Sequence, residues 1–575
     1  MTGCVDDNYD LDNIDKTTEL KVNDLVVPVN IDAIELSEII KIDEGSKIKI
    51  VNINGQDIYA VSETGTFSSD PIEIDGFTAP APTIEEARAA FEIVPARTKS
   101  ISTTTNYTLG SFTPQKVEIK ANDIDESIKE INSIDCEPMT ITMTLTTSGF
   151  GGRDTMIKFN NVKLKFLKGL TLAQTPANYK YNPDTGILDV SGLECPGNVA
   201  TIKLDVIKID FDKAGTKLNG HDFNYATTVT LDQADLQLTM TFDDNEPPKP
   251  TEIIFAVTTT CTDMVATNFT GVVEYKLEGE SLNIDPVSLD DIPDFLSNDK
   301  TNLRLANPQI YLSMNNPMAS YGLGYSTGLS LTSVRPGDVK ENFSLNPGEL
   351  VNVGTNYGDA GPYNFVLSPS MPAHPLDNFA QNITHVGYSA LSNVLAGNGI
   401  PQQIEIDLVN PELPRQKVSD FKLGNTIPGI TGSYEFFAPL AFKSAEQGDN
   451  SSLIVYSGTV DGWSSDDLTK LTITRLQVDA DAFSNLPVGA DVSIYPIDTE
   501  GNKIPNVTVT PAKLSPNADG VPVTCVVEGE IKNLDGIVYE AVVTPGTDQP
   551  ISPTQKIRLQ NIRAKVTGFY ITDFN

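Results

Sequence analysis

The chain has one tryptophan, three histidines and five cysteines in 575 residues, and basic side chains are outnumbered 40 to 77 by acidic ones. Each shortage excludes something. A formal charge of −37 repels phosphate backbones, so nucleic acid is not an expected partner. No two of Cys4, Cys136, Cys195, Cys261 and Cys525 approach CxxC spacing, which removes a cysteine zinc site, and five are too few for a disulfide scaffold. Serine or cysteine triads need a histidine, and only His221, His374 and His385 can serve; HxxxH and HExxH are absent. His221, beside Asp222 in NGHDFNY, reads as a loop histidine making surface hydrogen bonds. No apolar run is long enough for a membrane-spanning helix, and no complete signal peptide precedes the body of the chain. Neither a cofactor nor a metal is expected.

What is present in quantity is alternation of apolar and polar residues, the mark of strands with one buried face. In MTITMTLTT, Met139, Ile141, Met143 and Leu145 point one way and the intervening threonines the other. NVKLKF repeats this with Val162, Leu164 and Phe166, and LQLTMTF with Leu236, Leu238, Met240 and Phe242. In TIKLDVIKIDF the phase flips between Val206 and Ile207, which predicts a bulge or a sheet-switching bend. Turn chemistry punctuates these runs: NPDTG at 182–186, DTEGN at 498–502 and NADG at 517–520. Two short helices are expected. TIEEARAAFEIV carries Thr83 and Glu86 at capping-box spacing, and DIDESIKEI sets Ile124, Ile128 and Ile131 on one helical face. The fold class is therefore all-β: several β-sandwich domains, immunoglobulin-like or related, in tandem with a few short helices.

Length implies several cores. The expected organisation is an acidic tether over 1–20, a β-rich region over 21–115, a sandwich over 116–246, a β-rich domain over 251–460 and a C-terminal sandwich over 461–575. The boundary near 250 rests on DDNEPPKP, whose prolines cannot continue a central strand and suit a stiff connector. KFNNVKLKF at 158–166 and RLQNIRAKV at 558–566 echo each other, and either a repeated module or two similar amphipathic strands would give that echo. From about 301 to 460 the alternation weakens and Gly, Asn, Pro and Tyr thicken, so long loops are expected there. If a ligand site exists, such loops on a rigid sheet would hold it, with Tyr357 and Tyr363 as candidates.

The chain opens MTGCVDDNYDLDNID, with Cys4 followed by five aspartates before position 16. Thr2, Gly3 and Cys4 resemble the end of a bacterial lipoprotein box, whose cysteine takes a diacylglycerol and becomes the first residue of the mature protein. Met1 stands where leucine is usual. Asp6 and Asp7 resemble the export signal of gut Bacteroidetes lipoproteins that reach the outer face of the outer membrane, although Val5 intervenes. Residues 1–80 carry 17 acidic and 5 basic side chains, and the first twenty lack periodicity, as a solvated tether would. LKVNDLVVPVNIDAIELSEIIKIDEGSKIKI is similar to the opening of large β-rich surface lipoproteins of the same phylum. The resemblance implies a lipid on Cys4, and the bland alternative is a free thiol near a terminus. A lipidated Cys4 would leave four cysteines, a number that two disulfides could absorb, while Cys525 in VPVTCVVEGE reads equally well as a small buried hydrophobe.

For such a surface protein the ligand would be an extracellular glycan or protein. A sugar ring stacks on an exposed aromatic face, which singles out Trp463 in VDGWSSDD; a core tryptophan is the competing reading. Paired carboxylates could run glycosidase chemistry, but nothing in the order of 77 acidic residues selects a pair. DTEGN and the DDNYDLDNID tether lack the EF-hand pattern and read as solvated acidic turns. Asp154-Thr155-Met156 resembles the O-glycosylation triplet of Bacteroidetes envelope proteins. The expectation is a non-catalytic, lipid-anchored surface protein for binding, adhesion or structure. The alternatives are a carbohydrate-binding or carbohydrate-active protein of a glycan-utilisation system, or a filament subunit. For the last, NIRAKVTGFYITDFN could be a donor strand, with the last strand of its own domain as the safer assignment.

Overall fold

The architecture comes from a computed structural model that describes residues 17–573 apart from 30–32, 41, 43–44, 94–101, 221–222, 242–249, 277–281, 290–295, 297–300, 347–348, 355–360, 398, 444–453, 464–470 and 545. Antiparallel strands dominate. Among the described residues the only α-helices are single turns at Leu36–Ile39 and Phe211–Ala214.

The strand Ile128–Ser148 is the spine of a 13-stranded sheet. Its alternation works as the sequence implied: Met139, Ile141, Met143 and Leu145 are all buried. One edge pairs with Val199–Asp210, while the other is shared by Met264–Lys276 and Thr251–Cys261. The sheet continues from Met264–Lys276 through Gln403–Lys422 and Tyr325–Arg335 to Val339–Ser344. Gly271 makes one of these pairings possible, because a Cβ there would stand 1.9 Å from the carbonyl oxygen of Glu130. The phase flip at Val206 and Ile207 is a bulge: register shifts on both sides of Val199–Asp210 leave Ile207 without a partner.

A six-stranded sheet is built around Thr155–Lys165 and Phe223–Thr241, and a seven-stranded one around Gln56–Ser69, Thr431–Pro439 and Gln309–Asn315. The buried faces of these sheets share one continuous core that runs from Leu36 to Ile551. Residues 242–249, where the connector was expected, lie outside the described residues, but strands from before and after them pair with one another. Thr251–Cys261 pairs with Ala87–Ile93 as well as with the spine, and Gln56–Ser69 lies against Thr431–Pro439. The expected blocks 21–115, 116–246 and 251–460 are thus interleaved, since strand partners are set by apolar faces and not by nearness in sequence.

Both expected helices are strands. Ala87–Ile93 alternates, with Ala87 and Ile93 buried and Arg88, Ala90 and Glu92 exposed, and Glu86 pairs with Arg88 instead of closing a capping box. Ile128 and Ile131 sit in the spine, where a register shift between them lets both face the core despite their odd spacing. A free edge on Thr251–Cys261 and the need to complete the spine outweighed weak local helix propensity.

The C-terminal unit is a sandwich. Its larger sheet runs Thr17–Val29, Lys556–Asp573, Leu471–Ser484, Asp519–Ile531 and Thr508–Thr510, with Ile34–Glu35 also pairing on Lys556–Asp573. The smaller runs Ile454–Val460, Leu534–Thr544, Gly489–Asp498 and Ala512–Leu514. The expected limits of 1–20 and 461–575 shift accordingly: Thr17–Leu20 is already strand, and Ile454–Val460 belongs to the sandwich. The echo at 158–166 and 558–566 falls on two strands that each bulge near the shared asparagines, beside Asn161 and at Asn561, whose φ is 53°.

Candidate anchor and ligand sites

Cys4, Asp6, Asp7, Tyr357 and His221 lie outside the described residues. The segment that carries Cys4 leads directly into Thr17–Val29, which pairs antiparallel with the C-terminal strand from Thr17↔Asp573 to Val29↔Ile562. The first and last described strands therefore meet on one sheet, and the C-terminal strand has partners on both sides. That arrangement matches its assignment as a strand of its own domain.

The remaining cysteines are free thiols. Burial pushes Cys136, Cys195 and Cys261 up to about 11 and also raises Cys525. At neutral pH these groups are protonated, which disfavours nucleophilic attack and metal ligation. Cys525 is 3% exposed and packs as a small hydrophobe. Two disulfides, which the count of four permitted, are not formed.

His385 Nε2 stands 3.1 Å from both the carbonyl oxygen and the hydroxyl of Ser368, and His374 Nε2 stands 3.3 Å from the side-chain nitrogen of Asn54. These contacts are a carbonyl, a hydroxyl and an amide, whereas a catalytic triad orients its histidine with a carboxylate. Among the described residues, no group of three or more His, Cys, Asp or Glu stands together as a metal site would require. The DTEGN turn uses its acid internally: Asp498 Oδ1 accepts from the backbone N–H groups of Glu500 and Asn502. In NPDTG, Asn182 Oδ1 does the same for Asp184 and Thr185.

The tyrosine-rich region is less loop than its composition suggested. Tyr311, Tyr325 and Tyr388 are core residues at 0–2% exposure. Tyr363 opens the strand Tyr363–Ser368 in the seven-stranded sheet, half-buried and packed over Gly354, where a Cβ would meet its hydroxyl at 1.7 Å. Trp463 follows the edge strand Ile454–Val460 of the C-terminal sandwich and is 38% exposed, with its backbone N–H donated to Asp535 at 2.7 Å. Tyr363 and Trp463 therefore lie in different parts of the fold, and of the two only the tryptophan is exposed. In the Asp154-Thr155-Met156 triplet, Met156 is 71% exposed and Thr155 donates its hydroxyl to Asn198 Oδ1 at 3.1 Å.

Two hollows escaped the sequence reading. One is a shallow polar depression of about 570 Å³, lined by Thr66, Ser68, Ser313, Asn315, Thr431 and Ser433 with Asp285 at its side. Its hydroxyls and amide suit hydrogen bonding. Asp285 is the single carboxylate among its described lining residues, and two-carboxylate glycoside hydrolysis needs a pair. The other is an apolar cavity inside the C-terminal sandwich. Neither was visible as a motif, because each is assembled from residues far apart in sequence.

The fold and these sites define an all-β chain of several sheets without a recognisable catalytic constellation among its described residues. No protein-family model matches the sequence, and no curated protein is similar to it. One solved structure that is similar is the crystal structure of a "putative secreted protein" from Parabacteroides distasonis ATCC 8503, at 14% identity and a TM-score of 0.34, with 52% of this chain and 89% of that chain covered. At that TM-score the likeness decides nothing about fold or role.

Proposed function

We propose that this is a lipid-anchored protein of the bacterial outer membrane, facing the cell exterior and serving binding, adhesion or structure without catalysis. The observation that carries the reading is the chain's opening. A Thr2-Gly3-Cys4 box with Asp6 and Asp7 is followed by a strand that locks into the C-terminal sheet. A lipid on Cys4 would make that sandwich the first folded unit above the membrane and leave the larger sheets free to meet ligands. A two-chain lipid anchor is also what a surface protein without a membrane-spanning helix would need to stay attached. The protonated thiols and the carboxylate-free histidine contacts support a non-catalytic role.

The test is expression at the native locus of wild type and Cys4→Ala, followed by membrane fractionation and protease treatment of intact cells. Wild type is expected in the membrane fraction and sensitive to protease, and Cys4→Ala is expected to leave the membrane. If both partition alike, the anchor reading fails.

Trp463 favours a second reading, recognition of an extracellular glycan, since its exposed ring could stack on a sugar face. Affinity electrophoresis through polysaccharide gels should then retard wild type, and Trp463→Ala should remove the retardation.

A further inference from the structure

We infer that the C-terminal sandwich holds a binding site for one aliphatic chain, such as a fatty acid or the acyl chain of a lipid, between its two sheets. Two packed sheets ordinarily fill the gap between them with interdigitating side chains. Here several lining positions are small, Ala480 on the larger sheet and Gly489, Ala490, Ala512 and Ala541 on the smaller, among the Val, Leu and Ile side chains that make up most of the walls. The result is a cavity of about 270 Å³. An apolar cavity of roughly 150 Å³ stays dry and takes up benzene, so a larger one has ample room for carbon.

The shape and the walls decide which ligand. Ala490, Val492 and Ile494 are successive inward positions on one strand and all line the cavity, so it extends along the strand for about 13 Å. That is the outline of a chain more than of a compact ring. The opposite wall is Val478, Ala480, Val523 and Cys525, and none of the described residues that line the space is charged. Water is a poor occupant, because it needs two to four polar partners and the walls offer little beyond a thiol and one phenol.

That phenol stands on the edge strand, level with Val492 across Ala541, where the space comes nearest to solvent through a half-exposed ring. Tyr456 lines the cavity, belongs to the edge strand Ile454–Val460 and is 37% exposed, with its ring 6.2 Å from that of Tyr539. A polar head group would stay in solvent beside it while the chain entered. Leu36, Ile40, Phe442 and Ile551, side chains from outside the two sheets, complete the lining. The inference does not depend on lipidation of Cys4.

The test is a fluorescence titration of the full chain with cis-parinaric acid, a fluorescent fatty acid, followed by competition. Saturable binding is expected, reversed by dodecanoic acid and unaffected by hexanedioic acid, which carries a charge at both ends. Ala490→Leu and Ala541→Leu fill the space and are expected to weaken binding at least about tenfold while keeping a cooperative thermal transition. Should both variants misfold, Cys525 gives an independent readout: dodecanoic acid is expected to slow modification of its thiol by methyl methanethiosulfonate, read by peptide mass spectrometry. No saturable binding by wild type, equal binding by folded variants, or an unchanged Cys525 rate would overturn the inference and identify a dry packing void. Mass spectrometry of chloroform extracts from protein purified from its native cells then separates the sources, a free fatty acid or a glycerolipid.

Discussion

Asp479 shows what a charge does inside this β architecture. Partial burial alone would push its carboxyl up, but Lys565 Nζ at 2.8 Å, together with Gln477 and Thr524 as donors, outweighs that and holds it below its ordinary value of 3.8. A depressed carboxyl stabilises the fold at pH values above its unfolded pKa, and that contribution disappears as pH falls through the folded one. Asp479→Asn should therefore cost about 1 kcal/mol at neutral pH, and the difference from wild type should vanish well below pH 3.8. Thermal melts of both proteins across that range check it; a difference that persists in acid would show that packing and not charge is lost. At this scale the sequence was informative where a residue's environment is local. Alternation placed Met139, Val162 and Leu164 inside, and VPVTCVVEGE allowed Cys525 to be read as buried. It was silent on Tyr311, Tyr325 and Tyr388, whose Gly- and Asn-rich surroundings suggested loops although their rings fill the core. Exposure of Trp463 was equally undecidable, because it depends on what packs over the VDGW turn.

Strand-forming segments were legible where alternation was strict and misread where it was imperfect. The two segments expected as helices have weak strand patterns, and the partner that made each a strand lies well over a hundred residues away: Thr251–Cys261 for Ala87–Ile93 and Met264–Lys276 for the start of the spine. Propensity is local and pairing is not, so the error belongs to that difference. The N-terminal strand carries the sharpest consequence. Because Thr17–Val29 covers one edge of Lys556–Asp573 while Leu471–Ser484 covers the other, alternate amides of the C-terminal strand bond to each neighbour. Deleting residues 1–29 should accelerate hydrogen exchange at every second amide between Ile562 and Asp573 and leave those bonded to Leu471–Ser484 slower. Uniform protection after deletion would show that the N-terminal strand contributes nothing to this edge.

Over the whole molecule, alternation gave the all-β class and composition the charge, while the order of modules along the chain did not predict which strands share a sheet. A net charge of −37 opposes compaction by self-repulsion, and salt screens it. Raising ionic strength from about 10 mM to about 150 mM, which shortens the Debye length from roughly 30 Å to roughly 8 Å, should raise the thermal midpoint. A midpoint that falls would indicate that attractive surface pairs outweigh the excess of acid.

The central claim is that this acidic assembly of sheets hangs from a lipid at its N-terminal end, and mass spectrometry of the N-terminal peptide from native membranes tests it most directly. The account predicts a mature chain that begins at Cys4 with a diacylglyceryl group on its thiol. A soluble protein with an unmodified Met1 and a free Cys4 thiol would contradict the anchor, the surface location and the role proposed from them.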